Sequence, residues 1–92
     1  MTRTLIWRPA ARRDVTAIIR YIADRHAAAA ANLAQRFEDT AGRLLAFPFL
    51  HRPGRTPGTR EAVVHRNYLL IYSVSRTTVD VLAVVHARRR YP

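Results

Sequence analysis

Three residue types in this 92-residue chain can act on a phosphodiester without a metal: histidine, arginine and tyrosine. Cleavage of RNA by its own 2′-hydroxyl needs three services. One group takes the hydroxyl proton, a cation holds the charge growing on the phosphate, and another group protonates the departing 5′-oxygen. Histidine suits the proton steps because it titrates near neutrality. The guanidinium fork suits the phosphate, and tyrosine can donate a proton or stack on a base. Residues of these types concentrate between Arg60 and Tyr91. His86 closes the apolar run VDVLAVVH, and Arg88, Arg89, Arg90 and Tyr91 follow it as a target-binding patch. If strand alternation continues, Arg88 points with His86 and Arg89 points away. Arg60 opens the run REAVVH, and His65 and Arg66 sit in the tight hairpin turn at its end. Each also has a plainer reading. His86 caps a strand, Arg60 pairs with Glu61, the arginines form a solvated tail, and Tyr68 and Tyr72 belong to the core. His26 and His51 stand alone and read as structural, and Trp7 reads as core.

Other chemistries lack their residues. The chain has no cysteine, so a disulfide, a thiol nucleophile and a thiolate metal site are excluded. Its six carboxylates include no pair at metal-ligand spacing near a histidine, so neither a metal nor a cofactor is expected. Asp14, Asp24, Glu38 and Asp39 read as solvated helix positions beside arginines. Gly54 and Gly58 adjoin prolines and read as turn glycines rather than a phosphate cradle. Ser73 and Ser75 have no triad context. The net charge of +10 and pI near 11.7 point to polyanionic partners, nucleic acid or an acidic protein. All sixteen basic residues are arginine, which fits phosphate recognition and equally an arginine-rich codon habit. The start MTRTLIWRPAARRD has no run long enough for a signal peptide, and no 18-residue apolar stretch occurs. The expected location is the cytoplasm, with no membrane partner.

The elements that must position these residues follow from periodicity. TRTLIW reads as a short strand over 2–7. Apolar positions Ala11, Val15, Ile18, Ile19 and Ile22 define a helix from about Pro9 to Arg25. Proline is tolerated at its first position, where the amide hydrogen has no helical acceptor. A turn near 24–28 leads to a second helix ending near Ala46, with stripe Leu33, Phe37, Ala41, Leu44 and Leu45. Phe47-Pro48 stops it, because a residue before proline is pushed out of the α region. The loop FPFLHRPGRTPGT follows, with Phe49 and Leu50 expected to anchor it. Three strands complete the chain at 60–65, 67–74 and 78–86. In the last, Val79, Val81, Ala83 and Val85 are assigned to one face, with Asp80, Leu82, Val84 and His86 on the other. A strand apolar on both faces is usually central. One face should carry the helices; the other should be concave and partly filled, with His86 near its rim. The expected fold is a single α+β domain over 1–92, ordered β-α-α-β-β-β. It has an antiparallel-rich four-stranded sheet with an αα-hairpin on one face.

The succession ARRDVTAIIRYIADRH, RFEDTAGRLLAFPFLHRPGRTPGTREAVV, NYLLIYSV and VDVLAVVHARRRYP resembles the RelE/ParE superfamily of bacterial toxins, most closely its ParE branch. The resemblance spans nearly the whole chain. Its most specific pieces are FPFLHRPGR-PGTRE, NYLLIY and VVHARRRYP. It implies the toxin of a type II toxin–antitoxin pair that arrests growth until bound by an acidic antitoxin in a hetero-oligomer. Such an antitoxin would seize the helical-hairpin stripe at Val15, Ile18, Ile22, Leu33 and Phe37, by an amphipathic helix or an added strand. Two target classes follow from the resemblance. ParE-like members poison DNA gyrase. RelE-like members cut mRNA in the ribosome without metal; there His86 and Arg88 match a catalytic histidine and arginine, and Arg60 matches a basic position of the second strand. RelE-like enzymes usually carry a basic residue on the third strand just after the aromatic, where this chain has Leu69. That departure favours gyrase over the mRNA interferase. A nucleic-acid- or partner-binding module without toxicity is the third reading.

Overall fold

A computed structural model describes residues 2–88 of the chain. The elements are β1 (Thr4–Trp7), α1 (Pro9–Ala23), α2 (Ala27–Ala46), β2 (Arg60–His65), β3 (Tyr68–Val74) and β4 (Thr78–His86). They form one mixed sheet in the order β1-β4-β3-β2. β1 runs parallel to β4, whereas β4–β3 and β3–β2 are antiparallel. β4 is therefore central, as its two apolar faces required, and the α+β order expected from the sequence holds.

Local chemistry sets the boundaries. Pro9 takes the first position of α1. Three residues separate α1 from α2, and His26 caps α2: its Nδ1 accepts the Ala29 amide at 3.0 Å. The helical hairpin lies on one face of the sheet. Ala11, Leu33, Phe37, Ala41 and Leu44 meet Ala62, Val64, Leu70, Tyr72, Val79, Val81 and Val84 in one core, flanked by Leu5, Trp7, Val15, Ile18, Ile19 and Ile22. Phe37, Leu44 and Tyr72 are among the largest fully buried side chains. Trp7 is only half-buried, and the Arg12 guanidinium covers its ring at 4.6 Å.

Two β-bulges depart from simple alternation. Tyr72 pairs with Val81 but Ile71 pairs with Ala83, leaving Leu82 as the extra residue on β4. The side chains beyond it change faces. Val79, Val81, Val84 and His86 therefore share the helix-facing side. The expected grouping of Ala83 and Val85 with Val79, and of His86 with Asp80 on the opposite face, is overturned. On β2 a second bulge falls between Val63 and His65, so that His65 comes opposite Tyr68.

Beyond Val81, β4 has no strand on its outer side among the described residues, because β1 ends at Trp7. α1 supplies the missing acceptor: Asp14 Oδ2 takes the Val84 amide hydrogen at 2.9 Å. Asp14 is thus a partly buried cap of a sheet edge and not the solvated helix residue its neighbours implied.

Candidate functional site

Both bulges bring rings to one end of the sheet on its helix-facing side. His65, Tyr68 and His86 form a row across β2, β3 and β4. The Tyr68 ring lies 5.5 Å from His86 and 6.3 Å from His65, centroid to centroid. Phe37 meets Tyr68 edge-on at 6.1 Å and backs the row from α2. The chain turns sharply after each histidine, and each imidazole accepts the amide two residues on. His65 Nδ1 accepts Asn67 N at 3.2 Å, and His86 Nδ1 accepts Arg88 N at 3.2 Å. These bonds orient the rings and leave Nε2 as the edge free for a further partner. Ala87 N also donates to the Asn67 carbonyl at 2.8 Å, tying the end of β4 to the β2–β3 turn.

An open groove of about 590 Å³ runs from this row to the helical hairpin. Ile22, Ala29 and Leu33 supply its apolar floor, while Asn32, Arg36 and Asn67 supply polar groups beside His65 and Tyr68. The groove can take an apolar segment bearing an anionic group. Its His65 imidazole edge, amides and guanidinium can donate hydrogen bonds to phosphate oxygens. Among the described residues, no three His, Asp or Glu side chains are grouped to hold a metal.

Arg60 belongs to the other end of the sheet. It pairs with Tyr72, whereas His86 pairs with Tyr68. Four residues of β3 separate the two rows, about 13 Å at strand rise. Arg60 Nη1 donates to the carbonyls of His51 at 2.7 Å and Phe49 at 3.3 Å. The guanidinium also lies 5.1 Å from the centre of the Phe49 ring, which Arg3 approaches at 5.3 Å. Glu61 pairs with Arg52, not with Arg60. The Tyr72 hydroxyl donates to the Pro48 carbonyl at 2.8 Å, and His51 packs edge-on against the Tyr72 ring. Gly54 closes the loop by donating to Thr59 O, and a side chain there would collide with the Thr59 hydroxyl. Burial, aided by the charges of Arg43 and Arg60, lowers the pKa of His51. Burial raises that of the Tyr72 phenol, opposed by Arg60.

The structure therefore brings together only part of the expected set. His86 sits in the ring row with His65. Arg66 is exposed in the adjoining turn, and Arg88 is exposed just past β4. Because the chain turns there, the strand alternation that placed Arg88 beside His86 does not continue. Arg89, Arg90 and Tyr91 lie outside the described residues. Arg60 is a loop clamp remote from His86. Phe49 and Leu50 are exposed, and the loop is anchored by Pro48 and the Arg60 clamp. The hairpin stripe faces inward: Val15 and Ile18 pack on the core, and Phe37 is sealed at 0% exposure. Of the residues expected to meet an antitoxin, Ile22 and Leu33 line the groove. Two contributors escaped the sequence reading although spacing offered a signal. Asp14 lies three residues after Ala11 and four before Ile18, on the apolar stripe itself. Arg36 lies three residues after Leu33, at the stripe's margin.

Similarity to known proteins agrees with this geometry. The family described as the ParE toxin of the type II toxin–antitoxin system parDE matches residues 5–91. A Sinorhizobium fredii protein designated by name as a toxin, Y4kP, is 34% identical over 87 residues, covering 94% of this chain and 90% of its own. The chromosomal ParDE system of P. aeruginosa contains a chain of the same fold, with TM-score 0.82 and 20% identity over 92% of this chain and 96% of that one. The E. coli DinJ–YafQ toxin–antitoxin complex contains another, with TM-score 0.70 and 15% identity over 94% and 93%. With the family matched over nearly the full length and a relative at 34% identity, this chain belongs to the ParE toxin family of type II toxin–antitoxin systems.

Proposed function

We propose that this toxin acts on DNA gyrase and is silenced by an acidic antitoxin. One observation carries the choice of target: the residues a RelE-like ribonuclease would combine are not combined. Arg60 is held by loop carbonyls about 13 Å along the sheet from His86. Leu69, where a cation would stand, is an apolar side chain at 7% exposure. Membership of the ParE family supports the same reading. For the antitoxin, the net charge of +10 favours an acidic segment, and the groove floored by Ile22 and Leu33 offers it an apolar anchor beside Arg36.

The ring row favours a second reading. His65, Tyr68 and His86 present titratable groups side by side, as a metal-independent mRNA interferase would need. Two assays with the purified toxin separate the readings. Inhibition of supercoiling with accumulation of cleaved DNA, beside intact mRNA in a defined translation reaction, is the expected result. Charge reversal across Arg88–Arg90 should then reduce toxicity more than His86→Ala. Breaks between A-site nucleotides, mapped by primer extension and lost in His86→Ala, would replace gyrase with the ribosome as target.

A further inference from the structure

Helix α1 presents an unusual solvent face. Arg12, Arg13, Thr16, Ala17 and Arg20 are all exposed and line a shallow depression of about 340 Å³. Arg13, Thr16 or Ala17, and Arg20 follow at i, i+3 or i+4, and i+7, so they form one stripe. α1 contains one acidic residue, Asp14, and the fold removes it from this face by turning it onto the Val84 amide. Arg12 is engaged by the Trp7 ring and by Glu38 at 3.6 Å. The side chains of Arg13 and Arg20 make no hydrogen bond, ion pair or ring contact with any other described residue. Two unneutralised guanidinium groups therefore flank a trough floored by small side chains.

We infer that this face of α1 binds the phosphate backbone of duplex DNA, with Arg13 and Arg20 as the phosphate contacts. The side chains present select that occupant. A protein partner of ordinary affinity needs an apolar or aromatic anchor at the centre of its interface, and the stripe has only Thr16 and Ala17 there. Single-stranded nucleic acid is held by stacking on aromatic rings, and the stripe has none. Duplex RNA adds 2′-hydroxyls that both donate and accept, and Thr16 alone on this stripe could accept from one. A duplex backbone needs only cations at intervals and room for the sugar–phosphate ridge. Seven residues of α-helix set Arg13 and Arg20 about 10.5 Å apart along the axis, so their long side chains can reach separate phosphates of one ridge. The surface goes beyond the gyrase assignment and does not require it.

The test is fluorescence anisotropy of the purified toxin with a 20-base-pair DNA duplex of arbitrary sequence between 50 and 200 mM salt. Arg13→Ala/Arg20→Ala is compared with Arg76→Ala/Arg43→Ala, which removes the same charge elsewhere. Alanine favours helix at 13 and 20, and circular dichroism confirms folding. The stripe variant should lower the slope of log K against log salt by about 1.8, shrinking the wild-type advantage roughly twelvefold across that range. The control pair should change the slope by well under one. Equal losses in the two variants would reduce the effect to diffuse net charge and overturn the inference. So would unchanged binding in the stripe variant. Tighter binding of an RNA duplex, lost in the same variant, would assign the surface to RNA instead.

Discussion

Replacing Arg60 by alanine distinguishes a clamp from a catalytic residue. The side chain makes a 2.7 Å bond to the partly buried His51 carbonyl, a longer exposed bond to Phe49 O, and a ring contact with Phe49. A charged donor to a partly buried carbonyl contributes about 1.5 kcal/mol, a long exposed bond about 0.5, and an exposed cation–π contact about 0.5–1. The sum is about 2.5–3 kcal/mol, which in a domain of this size lowers Tm by roughly 10–20 °C. Arg60→Ala should therefore melt well below wild type by circular dichroism, and the 47–59 loop should become susceptible to limited proteolysis. Toxicity should persist at 20 °C, where the variant remains folded. A variant that melts with wild-type protein yet has lost toxicity would refute the clamp and restore Arg60 to the target-binding site.

Two further outcomes follow from the same end of the sheet. Tyr72→Phe removes the donor to the Pro48 carbonyl without opening a cavity, so it should cost about 1–2 kcal/mol in urea denaturation, with an unchanged m-value. His51 has a folded pKa below its unfolded value of 6.5, so the unfolded chain binds more protons as pH falls. Its contribution to stability is full above that unfolded value and is lost as pH falls through 6.5 toward the folded pKa. The drop in the urea midpoint between pH 7.5 and 5.5 should therefore shrink in His51→Gln; an undiminished drop would rule His51 out as its source.

Element identity was legible because it depends on local pattern. Helical spacing from Ala11 to Ile22 and from Leu33 to Leu45, the proline at 48 and the apolar runs 60–65 and 78–86 each express short-range sterics and burial. The charge, the lack of cysteine and the resemblance carried by NYLLIY and VVHARRRYP belong to the sequence in the same way. They were sufficient for the α+β order and the toxin family. Which faces meet was another matter. A bulge is one extra residue whose position depends on how two strands settle against each other, and VDVLAVVH contains no glycine to mark it. That single insertion at Leu82 carried His86 to the helix-facing side, and the bulge on β2 brought His65 to the same ring. Likewise nothing in REAVVH says that Arg60 will hold carbonyls nine and eleven residues earlier, or that Asp14 will satisfy an amide seventy residues later. Those partners are chosen by unsatisfied backbone groups that exist only once the loop has folded back and β1 has ended beside β4. The sequence thus determined which elements form and what charge they carry. The tertiary structure decided which of its histidines, arginines and carboxylates stand together.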